Sequence, residues 1–250
     1  MTRVASKKRN MSSVTDYLEK EIRVFIAGML PGRFPRLYST LDTPTLKVPL
    51  QVAAYQLAVR KCIQPGDHVL DVGFGLGYGM VEMAKKAERL TGIEIDRRAV
   101  SRGAQLVEEV PQIVAVKRYD GQIVPYDDNS FEVVTCVDVL EHVPDYVAFL
   151  QEMVRVSSRV VLVSTPNRRR EYTRPDGRPK NRWHLREWSF QQLDAILQGI
   201  PDVRVDWNFL DGPWEGPFEC SPGVSEDTMA VAPALMLDSS RPCSNRPRAD

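Results

Sequence analysis

The chain has 250 residues and a mass of 28.3 kDa, and its 33 Lys and Arg residues balance its 33 Asp and Glu residues. This length can bury one substantial core, so we expect one domain with a small cap rather than two full domains. The zero net charge argues against a general attraction to nucleic acid or to a membrane surface, and no apolar run approaches the roughly 20 residues that span a bilayer.

The number and spacing of the cysteines indicate the redox compartment of the protein. Cys62, Cys136, Cys220 and Cys243 are scattered, without a C-x-x-C pair. This spacing is typical of reduced thiols in a cytoplasmic protein and does not predict a zinc cluster. The basic N-terminus is not followed by an apolar segment, so we do not expect a secretory signal.

The hydrophobic pattern of residues 13–63 predicts helices. Residues 1–12 are polar and basic, which predicts a disordered tail. Apolar residues share one stripe between residues 13 and 30, and a second helical pattern covers residues 50–62. We expect residues 13–63 to form a helical cap, although the pattern alone shows only amphipathic segments that need a surface to cover.

A glycine-rich turn follows the first predicted strand and organises the rest of the chain. The apolar strand contains Asp71, and a helical pattern over residues 80–87 follows the turn. The glycines of the turn alternate with other residues: Gly73, Gly75, Gly77 and Gly79. Glycines at a strand-to-helix turn permit positive φ and let a ligand lie against bare backbone.

The same turn lacks the fingerprint of dinucleotide-binding proteins. That fingerprint is G-x-G-x-x-G, and Tyr78 or Met80 stands where its third glycine would be. Asp71 precedes Gly73 by two positions, where a carboxylate would repel a pyrophosphate and attract a cation. S-adenosylmethionine is a nucleoside with a positive end and no phosphate, so it matches the turn. The alternative is a tight glycine turn without any ligand.

With these residues the chain resembles the class I S-adenosylmethionine-dependent methyltransferases, whose first motif is D-x-G-x-G-x-G. The resemblance covers roughly residues 64–197. It implies a Rossmann-like α/β fold, with a seven-stranded, mostly parallel sheet, helices on both faces and an antiparallel last strand. It also implies that Glu94 binds the ribose hydroxyls, that Asp120 beside Gly121 binds the adenine amine, and that residues 13–63 form a lid over the substrate.

The segments after the turn alternate between strand and helix. Such alternation implies right-handed crossovers and a parallel sheet, in a domain that we place at residues 64–237, before a disordered tail at 238–250. Ser189 and Gln192 predict a capping box at the start of the last helix. The predicted strands are 89–95, 113–118, 132–137, 159–164, 203–207 and 229–237, and the predicted helices are 97–109, 146–156 and 189–197.

The end of the fourth strand carries further candidate site residues, with Asp138 predicted to bind the cofactor and His142 to act in catalysis. Asp138, Glu141 and His142 follow that strand, and open α/β sheets bind ligands at the carboxyl ends of their strands. An imidazole titrates near neutral pH, so His142 is a candidate base for a hydroxyl acceptor, and His184 is a second candidate. Alternatively, His142 is a structural residue that begins a helix and bonds to nearby backbone.

These residues also resemble a metal-binding arrangement. Asp138-x-x-Glu141-His142, with His184 further on, is similar to the E-x-x-E-H…H pattern of ubiquinone-pathway O-methyltransferases and small-RNA 3′-terminal 2′-O-methyltransferases. The second resemblance implies a divalent metal on Asp138, Glu141, His142 and His184, and such a metal would acidify a bound hydroxyl. Asp138 is one methylene shorter than the Glu of that pattern, and metal-free relatives also carry L-E-H, so both alternatives stay open.

A basic insertion at residues 166–182 precedes His184. It carries six arginines and one lysine against only Glu171 and Asp176. The insertion is a solvated loop, a clamp for an anionic small molecule, or a contact for an RNA backbone. The zero net charge disfavours nucleic acid as a partner.

These patterns together predict a cytoplasmic methyltransferase that uses S-adenosylmethionine. We expect a small-molecule acceptor, methylated at oxygen. The alternatives are an RNA 3′-terminal 2′-O-methyltransferase and a partner subunit that binds S-adenosylmethionine without catalysis. The sequence does not indicate the identity of the acceptor or the oligomeric state.

Overall fold

The computed structural model describes residues 47–210, 230–231 and 234–237. The predicted tails at 1–12 and 238–250 and the helical pattern at 13–30 lie outside the described residues. Within the described ranges, no helix has both the length and the apolar character needed to cross a membrane.

Helices and strands alternate in the predicted order. The helices are α1 (Lys47–Leu57), α2 (Tyr78–Met83), α3 (Arg97–Glu109), α4 (Tyr146–Val156) and α5 (Phe190–Gln198). The strands are β1 (His68–Val72), β2 (Arg89–Glu94), β3 (Ile113–Arg118), β4 (Phe131–Val137), β5 (Ser157–Pro166), β6 (Val203–Asp206), β7 (Phe209–Leu210), β8 (Ala230–Val231) and β9 (Ala234–Leu237). A π-helical turn (Ala58–Cys62) extends α1, and single 3₁₀ turns lie at Leu140–His142 and Arg170–Tyr172.

One parallel sheet forms the centre of the described chain. Its order is β3-β2-β1-β4-β5, and all four pairings are parallel. Strand β9 pairs antiparallel with both β5 and β6, while the short β7 and β8 pair with each other and β8 pairs with the end of β5. The mostly parallel α/β sheet is therefore confirmed.

The strand count differs from the prediction of seven. The described residues form nine strands: β8 and β9 both lie within the predicted strand at 229–237 and pair with β5 in the same register, and β7 is an additional short strand. Helix α2 also ends before residue 87. The amides of Lys85 and Lys86 donate to the carbonyls of Glu82 and Met83, which tightens the chain into a turn after that helix.

Helices cover both faces of the sheet. Val69 and Val133 point to an apolar layer with α1, α2 and α3, and Leu70 and Val134 point to a second layer with α4 and α5. Neighbouring strand residues face opposite sides of a sheet, so a strand buried on both faces must be apolar throughout. This explains why every residue of β4 except Glu132 is buried.

Capping residues begin the helices where the sequence predicts. The side chain of Asp96 accepts from the amides of Arg98 and Ala99 at the start of α3, and Ser189 with Gln192 forms the predicted capping box of α5. Because β1, β2, β4 and β5 are parallel, their carboxyl ends meet at one edge of the sheet. That edge carries the predicted site residues.

Candidate functional site

The glycine turn joins β1 to α2 with three left-handed residues. The φ angles of Gly73, Gly75 and Gly77 are 76°, 55° and 80°. A Cβ on Gly77 would lie 2.2 Å from Cδ1 of Leu106, whereas a Cβ on Gly75 would meet nothing closer than the Gly73 carbonyl oxygen at 3.9 Å. Gly77 is therefore required by packing, while Gly75 leaves open surface on which a ligand can lie.

Glu94 reaches this turn from the end of β2. Its Oε2 accepts from the amide of Gly75 at 3.0 Å, and its Oε1 accepts from the amides of Ile95 at 2.7 Å and Asp96 at 3.0 Å. Glu94, the residue predicted to bind the ribose, therefore contacts the glycine turn that is predicted to bind the cofactor. The carboxylate is held in place by three backbone donors.

The position of Asp71 corrects the expectation that its carboxylate attracts a cationic ligand directly. Its side chain is fully buried, its Oδ1 accepts from Oγ1 of Thr135 at 2.9 Å, and its Oδ2 accepts from the hydroxyl of Tyr55 at 3.2 Å. Burial raises the pKa of Asp71 to about 7. Asp71 supports the turn from inside the fold and does not face a ligand as an exposed charge.

Asp138 is a half-buried carboxylate at the end of β4. Its φ of 53° is unusual for a residue other than glycine. Ser164 holds this conformation twice, since its carbonyl accepts from the Asp138 amide at 2.9 Å and its hydroxyl donates to Oδ1 at 2.6 Å. Nε2 of Gln51 donates to Oδ2 at 3.1 Å, and the Tyr78 hydroxyl donates to Oε1 of Gln51. Strain fixed by so many partners is typical of functional sites.

Asp120 and Gly121 follow β3 at the same edge. The exposed Asp120 carboxylate accepts from the amides of Gln122 at 2.8 Å and Ile123 at 3.1 Å. These two donors lower the pKa of Asp120. Gly121 adopts a φ of 86°, which turns the chain beside this carboxylate.

A second group of predicted residues meets beyond the end of β4. Glu141, His142 and His184 each offer one ligand atom, and these atoms lie within 4.8 Å of one another. The two imidazole rings make an edge-to-face contact with centroids 4.9 Å apart. The amide of Leu185 donates to the Glu141 carbonyl at 2.9 Å, and Oγ1 of Thr165 donates to Glu141 Oε2 at 3.0 Å. We call Glu141, His142 and His184 the acceptor cluster.

His142 is half-buried and bonds to backbone from a distant segment. Its Nδ1 lies 2.8 Å from the carbonyl oxygen of Trp183. A carbonyl only accepts, so Nδ1 carries the proton and the neutral ring has its lone pair on Nε2. The bond joins His142 to a distant segment, whereas the structural alternative expected a bond to nearby backbone.

The four-residue metal set implied by the resemblance is not assembled. The oxygens of Asp138 are bound to Ser164 and Gln51, away from the acceptor cluster. Nε2 of His184, which would have to bind the ion, lies 2.8 Å from the Nδ2 donor of Asn181. We therefore derive no reaction step through a metal.

Comparison with known proteins assigns the domain. Residues 70–159 match a family described as "Methyltransferase domain". This segment is therefore similar to the methyltransferase domain of class I S-adenosylmethionine-dependent methyltransferases. A probable S-adenosylmethionine-dependent methyltransferase of Mycolicibacterium smegmatis is 34% identical over 148 residues, which are 58% of this chain and 54% of that protein. The chain thus spans about half the length of the curated relatives it matches first.

Two further relatives show the range of the likeness. A ubiquinone biosynthesis O-methyltransferase of Coxiella burnetii is 32% identical over 80 residues, 32% of this chain and 34% of that protein. The crystal structure of the Burkholderia thailandensis 1,6-didemethyltoxoflavin-N1-methyltransferase, with 1,6-didemethyltoxoflavin and S-adenosylhomocysteine bound, has a TM-score of 0.60. It is 13% identical and covers 94% of this chain and 98% of its own, so its likeness concerns the fold alone.

The cofactor of this family is S-adenosylmethionine, and the glycine turn fits it. Open surface at Gly75 lies beside the Glu94 carboxylate, so a nucleoside without phosphate can lie against the turn and bond to an acid. Three sets of supporting residues were not predicted from the sequence. Gln51 and Ser164 hold Asp138, Tyr55 and Thr135 hold Asp71, and Asn181 and Glu187 hold His184.

The basic insertion at residues 166–182 has internal structure. The Arg174 amide donates to the Arg178 carbonyl at 2.8 Å, and Asn167 forms a bridge with Trp188. The Arg178 guanidinium pairs with Asp176 at 2.6 Å, and the Arg182 guanidinium lies 4.5 Å from the centroid of the Trp183 indole ring. The segment therefore presents exposed guanidinium groups next to the acceptor cluster in sequence.

Proposed function

We propose that this protein transfers the methyl group of S-adenosylmethionine to a hydroxyl oxygen of a small-molecule acceptor. One observation carries the proposal: a glycine turn open at Gly75, with Glu94 bonded to it, shares the carboxyl edge of the sheet with the His142 imidazole. A cofactor surface and a base at one edge are what an in-line displacement requires.

In this proposal, each acidic residue of the site binds a different part of the cofactor or supports its binding turn. Glu94 accepts from the ribose hydroxyls, and Asp120 beside Gly121 accepts from the adenine amine. Asp138 is half-buried, so its charge stabilises the positive end of the cofactor. Asp71 acts indirectly, because it supports the glycine turn from below.

Residues of the acceptor cluster handle the proton. S-adenosylmethionine supplies an electrophilic methyl carbon on its sulfonium. A hydroxyl becomes a better nucleophile as it loses its proton, and Nε2 of His142 accepts that proton in our proposal. Helix α1 contributes Gln51 to the Asp138 network.

Two observations support a small molecule as the acceptor. The net charge of zero gives no general attraction to RNA, and the Coxiella burnetii relative is named for ubiquinone biosynthesis. The exposed arginines of the basic insertion favour an acceptor that carries a carboxylate or phosphate group, which guanidinium binds in two-point geometry.

The cofactor assignment can be tested by calorimetry with S-adenosylhomocysteine. We expect Glu94→Ala to weaken binding about 10- to 100-fold, because hydrogen bonds to a charged group contribute about 1.5–3 kcal/mol. Glu109→Ala, at the exposed end of α3, is the matched control and should bind like the wild type. Equal affinity of wild type and Glu94→Ala would contradict the proposed ribose role.

The acceptor can be found by incubating the protein with isotope-labelled S-adenosylmethionine and fractionated extract, followed by mass spectrometry of the labelled product. We expect a small molecule that carries a labelled methoxy group. Labelled RNA, with binding that weakens steeply as salt rises, would overturn the small-molecule assignment. Tight cofactor binding with no labelled product in any fraction would indicate a non-catalytic subunit.

A further inference from the structure

Helix α1 bonds to the ends of two neighbouring strands at the carboxyl edge of the sheet. Its residues Gln51 and Tyr55 are four positions apart, so their side chains share one face of the helix, and both are buried. The Tyr55 hydroxyl donates to Oδ2 of Asp71 in β1, and Nε2 of Gln51 donates to Oδ2 of Asp138 after β4. Since β1 and β4 are paired, one face of α1 joins both sides of the predicted cofactor site.

The Gln51 amide is held in one orientation by a residue of the glycine turn. The Tyr78 hydroxyl donates to Oε1 of Gln51. A carboxylate accepts, so Gln51 must present its nitrogen to Asp138 and its oxygen to Tyr78. Tyr78 is the first residue of α2, directly after Gly77. A chain of hydrogen bonds therefore runs from the glycine turn through α1 to the end of β4.

The Asp138 carboxylate lies next to the glycine turn. The side chain of the following residue, Val139, fills the space beside Gly73, where an added Cβ would lie 2.5 Å from Cγ2 of Val139. Ser164 donates to one oxygen of Asp138 at 2.6 Å, and Gln51 donates to the other at 3.1 Å. With one donor on each oxygen, the orientation of this carboxylate is fixed before any ligand binds.

We propose that Gln51 is a positioning residue for S-adenosylmethionine, which holds the Asp138 carboxylate ready for the positive end of the cofactor, and that Tyr78 holds Gln51. This inference rests on the proposed function, in which Asp138 stabilises that positive end. A side chain fixed in advance loses little conformational entropy when the ligand binds, so it contributes more to affinity than a mobile one. Because Gln51 acts through Asp138, its loss should affect ligands with a charged methionyl end and spare ligands without one.

Calorimetry on the full chain with two ligands tests this proposal. S-adenosylmethionine carries the charged end, whereas 5′-deoxy-5′-methylthioadenosine has the same nucleoside with a neutral thioether. Gln51→Met keeps an unbranched side chain of similar length and helix propensity and removes both hydrogen-bonding groups. We expect it to weaken S-adenosylmethionine binding about tenfold and to leave the affinity for methylthioadenosine unchanged. An equal loss for both ligands, or no loss for either, overturns the proposal.

Two further variants control this experiment. Gln56 is half-buried on the same helix, outside the chain of hydrogen bonds, so Gln56→Met should bind both ligands like the wild type. Asp138→Asn keeps a residue that tolerates positive φ and removes the charge, so it should weaken S-adenosylmethionine selectively. If Asp138→Asn is selective and Gln51→Met is not, Gln51 does not position the carboxylate and the proposal is wrong.

Tyr78→Phe tests the second link and still decides if Gln51→Met does not fold. It removes only the hydroxyl, so it should weaken S-adenosylmethionine about threefold and spare methylthioadenosine. If Tyr78 acts through Gln51, the double variant should bind no more weakly than Gln51→Met, whereas independent effects would multiply to about 30-fold. Wild-type affinity in Tyr78→Phe, or independent effects in the double variant, overturns the role of Tyr78 in holding Gln51.

The same measurements separate a failure of this proposal from a failure of the proposed function. A wild-type chain that binds neither ligand contradicts the proposed function itself. A wild-type chain that binds both, with a Gln51→Met variant that binds them equally well, contradicts only the role of Gln51. The loss in Glu94→Ala should extend to both ligands, because both carry the ribose, and this contrast identifies the selective loss as a property of the methionyl end.

Discussion

The cofactor side and the acceptor side of the site are built in different ways. On the cofactor side, the glycine turn is one continuous stretch, and its main partner Glu94 is held by three backbone amides. On the acceptor side, His142 and His184 are far apart in the chain, and they meet because Leu185 and Trp183 dock onto the turn that carries Glu141. Backbone geometry organises the first region, and side-chain hydrogen bonds organise the second.

This difference teaches where the two functions are encoded. A turn that needs positive φ must contain glycine, so the requirement is written directly in the sequence. A proton-transfer group needs only a particular tautomer, which for His142 is favoured by the bond to the Trp183 carbonyl. The cofactor side should therefore tolerate few backbone changes, and the acceptor side should respond to changes of charge and hydrogen bonding.

The largest effect should come from removing the proposed base. His142→Ala is expected to slow methyl transfer about 100- to 10,000-fold, the usual contribution of a general base, while the affinity for S-adenosylhomocysteine stays unchanged. Steady-state kinetics on the identified acceptor and calorimetry measure the two quantities. His68→Ala, at the start of β1, is the matched control. If His142→Ala lowered both the rate and the cofactor affinity, the cofactor side and the acceptor side would not be functionally separate.

The sequence could predict the cofactor side far better than the acceptor side. The order of the strands and the capping box at Ser189 follow from local pattern, and the family resemblance implied the role of Glu94, which contacts the turn. The burial of Asp71 could not be predicted, because it depends on Tyr55 packing over the turn from α1.

On the acceptor side the sequence predicted which residues meet but not how they are held. The resemblance placed Asp138 with Glu141 and His142, whereas Ser164 and Gln51 bind its carboxylate elsewhere. Such pairings depend on side chains from separate elements, for which a single sequence has no periodic pattern. One local signal was available, since His184 and Glu187 are three positions apart, a spacing that brings side chains together on one turn.

A pair of glycine variants separates folding from binding on the cofactor side. Gly77→Ala should destabilise the protein by about 3 kcal/mol, because its Cβ would overlap Leu106 and its φ is positive. Gly75→Ala should cost only about 1 kcal/mol, since its Cβ meets open space, but it should prevent cofactor binding. Urea unfolding and calorimetry measure both. Normal binding by Gly75→Ala would show that no ligand lies against that residue.

The raised pKa of Asp71 predicts a stability that depends on pH. Its ordinary pKa of 3.8 applies to the unfolded chain, and about 7 applies to the folded one. Between these values the folded state keeps a proton that the unfolded state has released, so the free energy of unfolding falls as pH rises. The loss from about pH 5 to about pH 8 should be about 3 kcal/mol.

Asp71→Asn should remove this dependence and stabilise the protein at the alkaline end. Urea unfolding at several pH values measures the slope. The matched control is Asp120→Asn, because backbone donors lower the pKa of Asp120 and any contribution it makes is lost as pH falls, which is the opposite sign. A slope that persists in Asp71→Asn would mean that another buried group causes it.

The smallest expected effect sharpens the comparison on the acceptor side. Treatment with a chelator should leave the rate of methyl transfer unchanged, and added Mg²⁺ or Mn²⁺ should not raise it. The reason is geometric: Asn181 donates to the nitrogen of His184 that an ion would need, and Asp138 is bound to Ser164 and Gln51. A rate that falls with the chelator and returns with Mn²⁺ would show that Asn181 moves aside for an ion, and the acceptor side would then be organised by a metal rather than by hydrogen bonds.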